Sequence, residues 1–144
     1  FHSEINNVKD QGIKINIIGD LKKIPKSIRK TLTNSVQLTK KNNKIIVNLA
    51  INYGSKVEIL NACKRVKNKL SIKNLEKKLY LTNLPNPDIL IRTGGHQRLS
   101  NFMLWQLAYS ELFFLKKLWP DFQPNDLLKI LKKYNKIKRN FGAI

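Results

Sequence analysis

Apolar positions along this chain fall into short strand-length runs separated by stretches of helical period. Ile13 to Gly19 and Lys44 to Asn52 are rich in Ile, Val and Leu and predict two β-strands. Between them Ile28, Leu32 and Val36 recur on one face, which predicts a helix from about Pro25 to Lys41 with proline in its first turn. Ser55 is expected to cap a helix over Lys56 to Lys69, and a second helix is expected from Ile72 to Leu81 before Pro85 and Pro87. Asp88 to Ile91 has the unbroken apolar character of a buried parallel strand. Phe102 to Ser110 predicts a short apolar helix, and Glu111 to Leu115 a last strand. A final helix starts near Pro124 with Leu127, Ile130, Leu131, Tyr134, Ile137 and Phe141 on its stripe, and residues 1 to 12 predict the tail of another. The order β-α-β-α-α-β predicts an α/β fold, a parallel sheet flanked by helices, in one domain spanning 1 to 144.

The candidate chemistry lies where the Asp88 strand runs into Arg92-Thr93-Gly94-Gly95. Ligands of open α/β sheets bind at the carboxyl ends of strands. Gly94 and Gly95 allow a sharp turn and a close backbone approach to an anion. Arg92 and Arg98 offer planar forks for phosphate oxygens and Ser100 a hydroxyl, while a helix opening near Asn101 would add unpaired N–H groups. Two such arginines suit a diphosphate better than a neutral ligand. An Arg-Thr-Gly-Gly run alone also fits an ordinary turn.

The rest of the stretch is more specific. Arg92, Gly94, Gly95, Arg98, Ser100, Asn101, Phe102, Trp105, Gln106, Tyr109 and Glu111, followed by Trp119-Pro120-Asp121-Phe122, resemble the signature of cis-prenyltransferases, the undecaprenyl diphosphate synthase family. Ile17-Ile18-Gly19-Asp20 and Asn48-Leu49-Ala50-Ile51-Asn52-Tyr53-Gly54 resemble two further blocks of these enzymes, in the same order. The family's amino-terminal Met-Asp-Gly-Asn block, with its essential aspartate, and its Phe-Ser-x-Glu-Asn block have no counterpart in these 144 residues. The chain opens on Phe1, and its single methionine, Met103, lies inside the motif. The expectation is the C-terminal part of a cis-prenyltransferase, without a catalytic residue of its own.

The resemblance implies condensation of an allylic diphosphate with isopentenyl diphosphate to give a cis-polyprenyl diphosphate, with Mg2+ assisting departure of the allylic diphosphate. On matching positions, Arg92, Arg98 and Ser100 would grip isopentenyl diphosphate, and Glu111 would be the magnesium-associated glutamate. It further implies a homodimer in the full-length protein, and a cytoplasmic location with peripheral membrane contact through the product. Phe102, Trp105, Tyr109, Phe113 and Phe114 could serve such an interface, but core is the first expectation for them. Two positions depart from the pattern. His96 stands where the family usually has glutamate, and as a lone histidine in a polar turn it is read first as a solvated residue. Asn140-Phe141-Gly142 replaces the terminal Arg-x-Gly that reaches a neighbouring subunit, with Arg139 one place early. The alternative to an enzyme portion is a noncatalytic partner subunit of a prenyltransferase.

Charge adds a competing class. The chain carries 28 basic against 9 acidic residues, a net +19, which invites a nucleic-acid reading. The excess is mostly lysine scattered from Lys9 to Lys138 without a binding motif, so no specific nucleic-acid partner is expected. Cys63, the single cysteine, shares a helical stripe with Ile59, Val66 and Leu70 and is expected to be a structural thiol. No apolar run approaches the roughly 18 to 20 residues that span a bilayer.

Overall fold

The computed structural model describes residues 4–67 and 69–139. Phe1, His2, and the Asn140, Phe141 and Gly142 positions lie outside the described residues. The elements are α1 (Ile5–Asp10), β1 (Ile13–Ile18), α2 (Lys26–Thr39), β2 (Ile45–Ala50), α3 (Ser55–Arg65), α4 (Ile72–Glu76), β3 (Ile89–Arg92), β4 (Glu111–Phe114) and α5 (Pro124–Tyr134), with a 3-10 turn at Trp119–Asp121. No helix among the described residues is long and apolar enough to cross a membrane.

The four strands pair in parallel, but as two separate pairs rather than the single sheet expected. β1 runs beside β2 from Ile13↔Ile45 to Ile18↔Ala50. β3 runs beside β4 from Ile89↔Glu111 to Arg92↔Phe114. α1 and α2 pack on β1, burying Ile5, Ile15, Ile18 and Leu32. β2 lacks such cover: Ile45 is 59% exposed, and Ile46 and Val47 are exposed as well. An apolar run read as a core strand thus stands partly in solvent. A second core of Ala62, Leu75 and Leu79 joins α3, α4 and the following turn, with Ile59, Trp105 and the half-buried Cys63 against it.

Several expected helices change. α3 stops at Arg65 rather than Lys69, and α4 spans only Ile72–Glu76 before a series of turns. Residues 102 to 110 form consecutive turns, not a helix. Ser100, Asn101 and Met103 hold φ angles of 48°, 63° and 45°, the left-handed region that interrupts a right-handed helix. Tertiary contacts fix the segment instead, with Met103, Gln106 and Leu107 buried. Among the aromatics expected in the core, Trp105 packs there, whereas Tyr109 is 60% exposed. α5 keeps the expected start: Pro124 occupies its first turn, and Gln123 and Asp126 form a reciprocal capping box. It ends at Tyr134, so Ile137 lies beyond it.

Candidate diphosphate site

The loop after β3 is built from a strand end and two glycines. Gly94 and Gly95 have φ angles of 90° and 78°, and a Cβ on Gly94 would meet nothing within 4 Å, so the backbone angle rather than crowding calls for glycine there. Their N–H groups do not cradle a ligand. Gly94 N–H donates to Lys117 O (2.7 Å) and Gly95 N–H to Leu115 O (2.8 Å), which fastens the loop to the exit of β4. Anion binding therefore falls to side chains.

Those side chains are partly organised. The Arg92 guanidinium, at the carboxyl end of β3, donates through Nη1 to Arg98 O and, at 3.0 Å, to Ser100 Oγ. One expected ligand thus holds the backbone and hydroxyl of the other two. Arg92 is half-buried, whereas Arg98 and Ser100 are exposed, which leaves the Arg98 fork open to a ligand arriving from solvent. The expected helix dipole at Asn101 is absent, because that residue opens a turn. His96 is exposed in the same loop, as expected of a solvated histidine.

Asn101 acts on a different helix. Gly54 N-caps α3, displacing the cap expected at Ser55. Lys56 N–H donates to Asn101 Oδ1 (2.9 Å), Ser55 N–H to Asn101 O (2.8 Å), and Leu104 N–H to Ser55 Oγ (3.0 Å). A Cβ on Gly54 would come within 2.8 Å of Asn101 Nδ2, so a larger residue there would have to displace the end of the Asn101 side chain. The start of α3, at the carboxyl end of β2, is thereby sewn to the residue following Ser100. Asp20 N–H, beyond β1, donates to Asn52 O (3.3 Å), and so the three sequence blocks meet at one end of the strands.

Glu58 completes this junction and was not singled out by sequence reasoning. It is 2% exposed and accepts from Tyr53 Oη, Tyr80 N–H (2.6 Å) and Gln106 Nε2 (3.0 Å). Burial, followed by its hydrogen bond to Glu58, pushes the Tyr53 phenol well above its usual pKa. The only sequence signal was an acidic residue in the first turn of a helix.

Glu111 is not brought to this loop. It pairs with Ile89, whereas Arg92 pairs with Phe114, three residues further along, a separation of roughly 10 Å at strand rise. Among the described residues no three His, Cys, Asp or Glu side chains cluster to hold a metal ion. Magnesium is commonly held by one or two carboxylates together with waters and substrate phosphates, so Glu111 would need the oxygens of a bound diphosphate beside it to hold the ion. Arg139 is likewise engaged elsewhere: it donates to Asp88 Oδ1, Tyr134 Oη (2.7 Å) and Tyr109 O (3.0 Å), at the amino end of β3.

Against known proteins, the family model describing undecaprenyl diphosphate synthase matches residues 1–142. The chain belongs to this prenyltransferase family. It is 43% identical to an isoprenyl transferase of Rickettsia sibirica, over 97% of this chain and 64% of that protein. It is 40% identical to the tritrans,polycis-undecaprenyl-diphosphate synthase (geranylgeranyl-diphosphate specific) of Pyrococcus horikoshii, over 94% of this chain and 55% of that one. Lavandulyl diphosphate synthase from Lavandula x intermedia, solved in complex with dimethylallyl diphosphate, superposes with a TM-score of 0.91 at 33% identity, covering 99% of this chain and 66% of the other. The chain thus spans less than two thirds of the length of these two curated relatives. The α/β fold with parallel strands flanked by helices is that of the undecaprenyl diphosphate synthases: a probable member from Campylobacter jejuni superposes with a TM-score of 0.90 at 34% identity, covering 99% of this chain and 69% of the other.

Proposed function

We propose that this chain binds the diphosphate of isopentenyl diphosphate through Arg92, Arg98 and Ser100, as one part of a cis-prenyltransferase. The observation that carries the reading is the Arg92 guanidinium at the carboxyl end of β3, held on Arg98 O and Ser100 Oγ beside an exposed second arginine. Both arginines can present paired N–H groups to phosphate oxygens. The Pyrococcus horikoshii relative is named as specific for geranylgeranyl diphosphate, and the lavandulyl diphosphate synthase is solved with dimethylallyl diphosphate bound, in keeping with a diphosphate ligand.

In the reaction, the allylic C1–oxygen bond breaks as diphosphate leaves, a new carbon–carbon bond forms to isopentenyl diphosphate, and a proton departs. The residues of this chain would position the isopentenyl diphosphate for that attack, a contribution of orientation rather than bond-breaking. Charge neutralisation at the leaving group would fall to an aspartate-bearing polypeptide portion and to magnesium held with it. The exposed apolar face of β2 and the cleft of about 590 Å³ lined by Ile18, Ala50, Leu79, Pro87 and Met103 are consistent with such a complement. Glu111 would contribute to the metal only with oxygens from outside this chain.

Calorimetric titration of the chain with isopentenyl diphosphate tests the binding step. Saturable binding that Arg92→Ala weakens and Lys64→Ala does not supports it. Binding that falls with salt and is indifferent to Arg92 would instead support the polyanion reading.

A further inference from the structure

The diphosphate loop is followed by a turn whose backbone is strained and which is tied to segments distant in sequence. Ser100, Asn101 and Met103 sit in the left-handed region without being glycine, a conformation that persists only where surrounding structure enforces it. The enforcement comes from α3. Its first residues bind Asn101 and Leu104, and one turn further on Glu58 receives Gln106. Glu58 also receives Tyr53 Oη from the β2–α3 connection and Tyr80 N–H from the segment leading to β3.

A buried carboxylate is costly unless its oxygens are satisfied. Glu58 meets donors from three separate segments and, among the described residues, no cation. An acceptor-only group suits this convergence, because each donor needs an oxygen and none needs a proton back. Gln106 reaches it with one end only; among the described residues its Oε1 is buried without a partner, so its side-chain hydrogen bonding rests on Glu58. Swinging Gln106 away would remove one of the ties, with those of Asn101 and Leu104, that hold the turn beginning at Ser100, the residue on which the Arg92 guanidinium rests.

Resting on the diphosphate reading above, we propose that Glu58 is a positioning residue of that site: through Gln106 and α3 it holds the Ser100–Gln106 turn, and thereby the Ser100 hydroxyl and the Arg92 fork, in ligand-binding geometry. The carboxylate touches no ligand itself. Its part is to keep the loop formed before the ligand arrives, so that binding does not have to order it.

The test uses the full chain, inorganic pyrophosphate by calorimetry at fixed salt, and the Ser100 amide resonance without ligand. Glu58→Gln keeps Oε1 for Tyr80 and Gln106, while the Tyr53 hydroxyl can turn to accept from the new amide. Its dissociation constant should stay within about twofold of the parent. Glu58→Ala and Gln106→Leu should each weaken pyrophosphate binding by about fivefold or more and move the Ser100 amide resonance. Gln106→Leu decides the matter if Glu58→Ala does not fold, since it also removes the orphaned Oε1. A folded Gln106→Leu chain with unchanged affinity and an unmoved Ser100 resonance overturns the proposal, however far its thermal midpoint falls. Binding that needs Arg92 but ignores Gln106 removes this inference alone; no pyrophosphate binding by the parent chain removes the diphosphate reading along with it.

Discussion

Replacing Arg92 by alanine removes two things at once: a guanidinium facing the proposed ligand and the donor that secures Arg98 O and Ser100 Oγ. A charge-assisted contact to phosphate is worth about 1.5–3 kcal/mol. At about 1.4 kcal/mol per factor of ten, affinity for isopentenyl diphosphate should fall between about 10-fold and 150-fold. An exposed lysine such as Lys64 on α3 should matter by less than about fivefold, the range of a screened surface charge. Calorimetry at two salt concentrations separates these cases, because general polyanion attraction weakens with salt for both variants while the Arg92 contrast persists. Arg92→Lys should recover the charge but not the fork, and so only part of the loss. Circular dichroism on each variant establishes that the loss is not unfolding. A folded Arg92→Ala chain that binds as well as Lys64→Ala would refute the reasoning.

Other outcomes are tied to particular groups. Tyr53 has its pKa raised by burial and by Glu58, so the fold favours the neutral phenol; that contribution is complete below the ordinary value of 10.0 and is lost as pH rises above it. Ultraviolet titration should show a tyrosine component that resists ionisation until the chain unfolds, and Tyr53→Phe should abolish it. Asp126 is held below the ordinary carboxylate value of 3.8 by Lys117 and the Gln123 N–H, so its contribution to α5 is complete above that value and fades as pH falls below it. Asp126→Asn should flatten the acid limb of a melting-temperature profile, and an unchanged limb would remove the assignment. Chelation by EDTA should leave pyrophosphate binding by this chain within about twofold, because the described residues offer no metal cluster; a larger loss would reveal a resident cation.

The strands were legible in the sequence because their apolar runs are short and bounded by Gly, Pro and Asn. Their pairing was not, since periodicity specifies which residues extend but not which strands become neighbours. β2 illustrates the difference: its Ile45-Ile46-Val47 run predicts a core strand, yet those side chains remain exposed beside β1. The turn after Ser100 misled for another reason. Its composition favours a helix, but the backbone is set by α3, whose N–H groups take the Asn101 oxygens from 45 residues away. The arginines and Ser100 were found because they share a short loop, and the structure brings Arg92 onto both of the others. Glu58 escaped notice because its donors come from Tyr53, Tyr80 and Gln106, which no local window contains. Glu111 lies close to that motif in sequence, but β4 turns it to the amino end of the strand pair, away from the loop.

The central claim is that this chain supplies the isopentenyl diphosphate site of a cis-prenyltransferase and relies on a separate portion for ionisation of the allylic partner. The direct measurement is transfer of radiolabelled isopentenyl diphosphate onto farnesyl diphosphate with magnesium, by the chain alone and by the chain mixed with the amino-terminal portion of a family relative. The account predicts labelled polyprenyl product only in the mixture, and its disappearance when the chain carries Arg92→Ala. Product formed by the chain alone, or product in the mixture that is indifferent to Arg92, would contradict it.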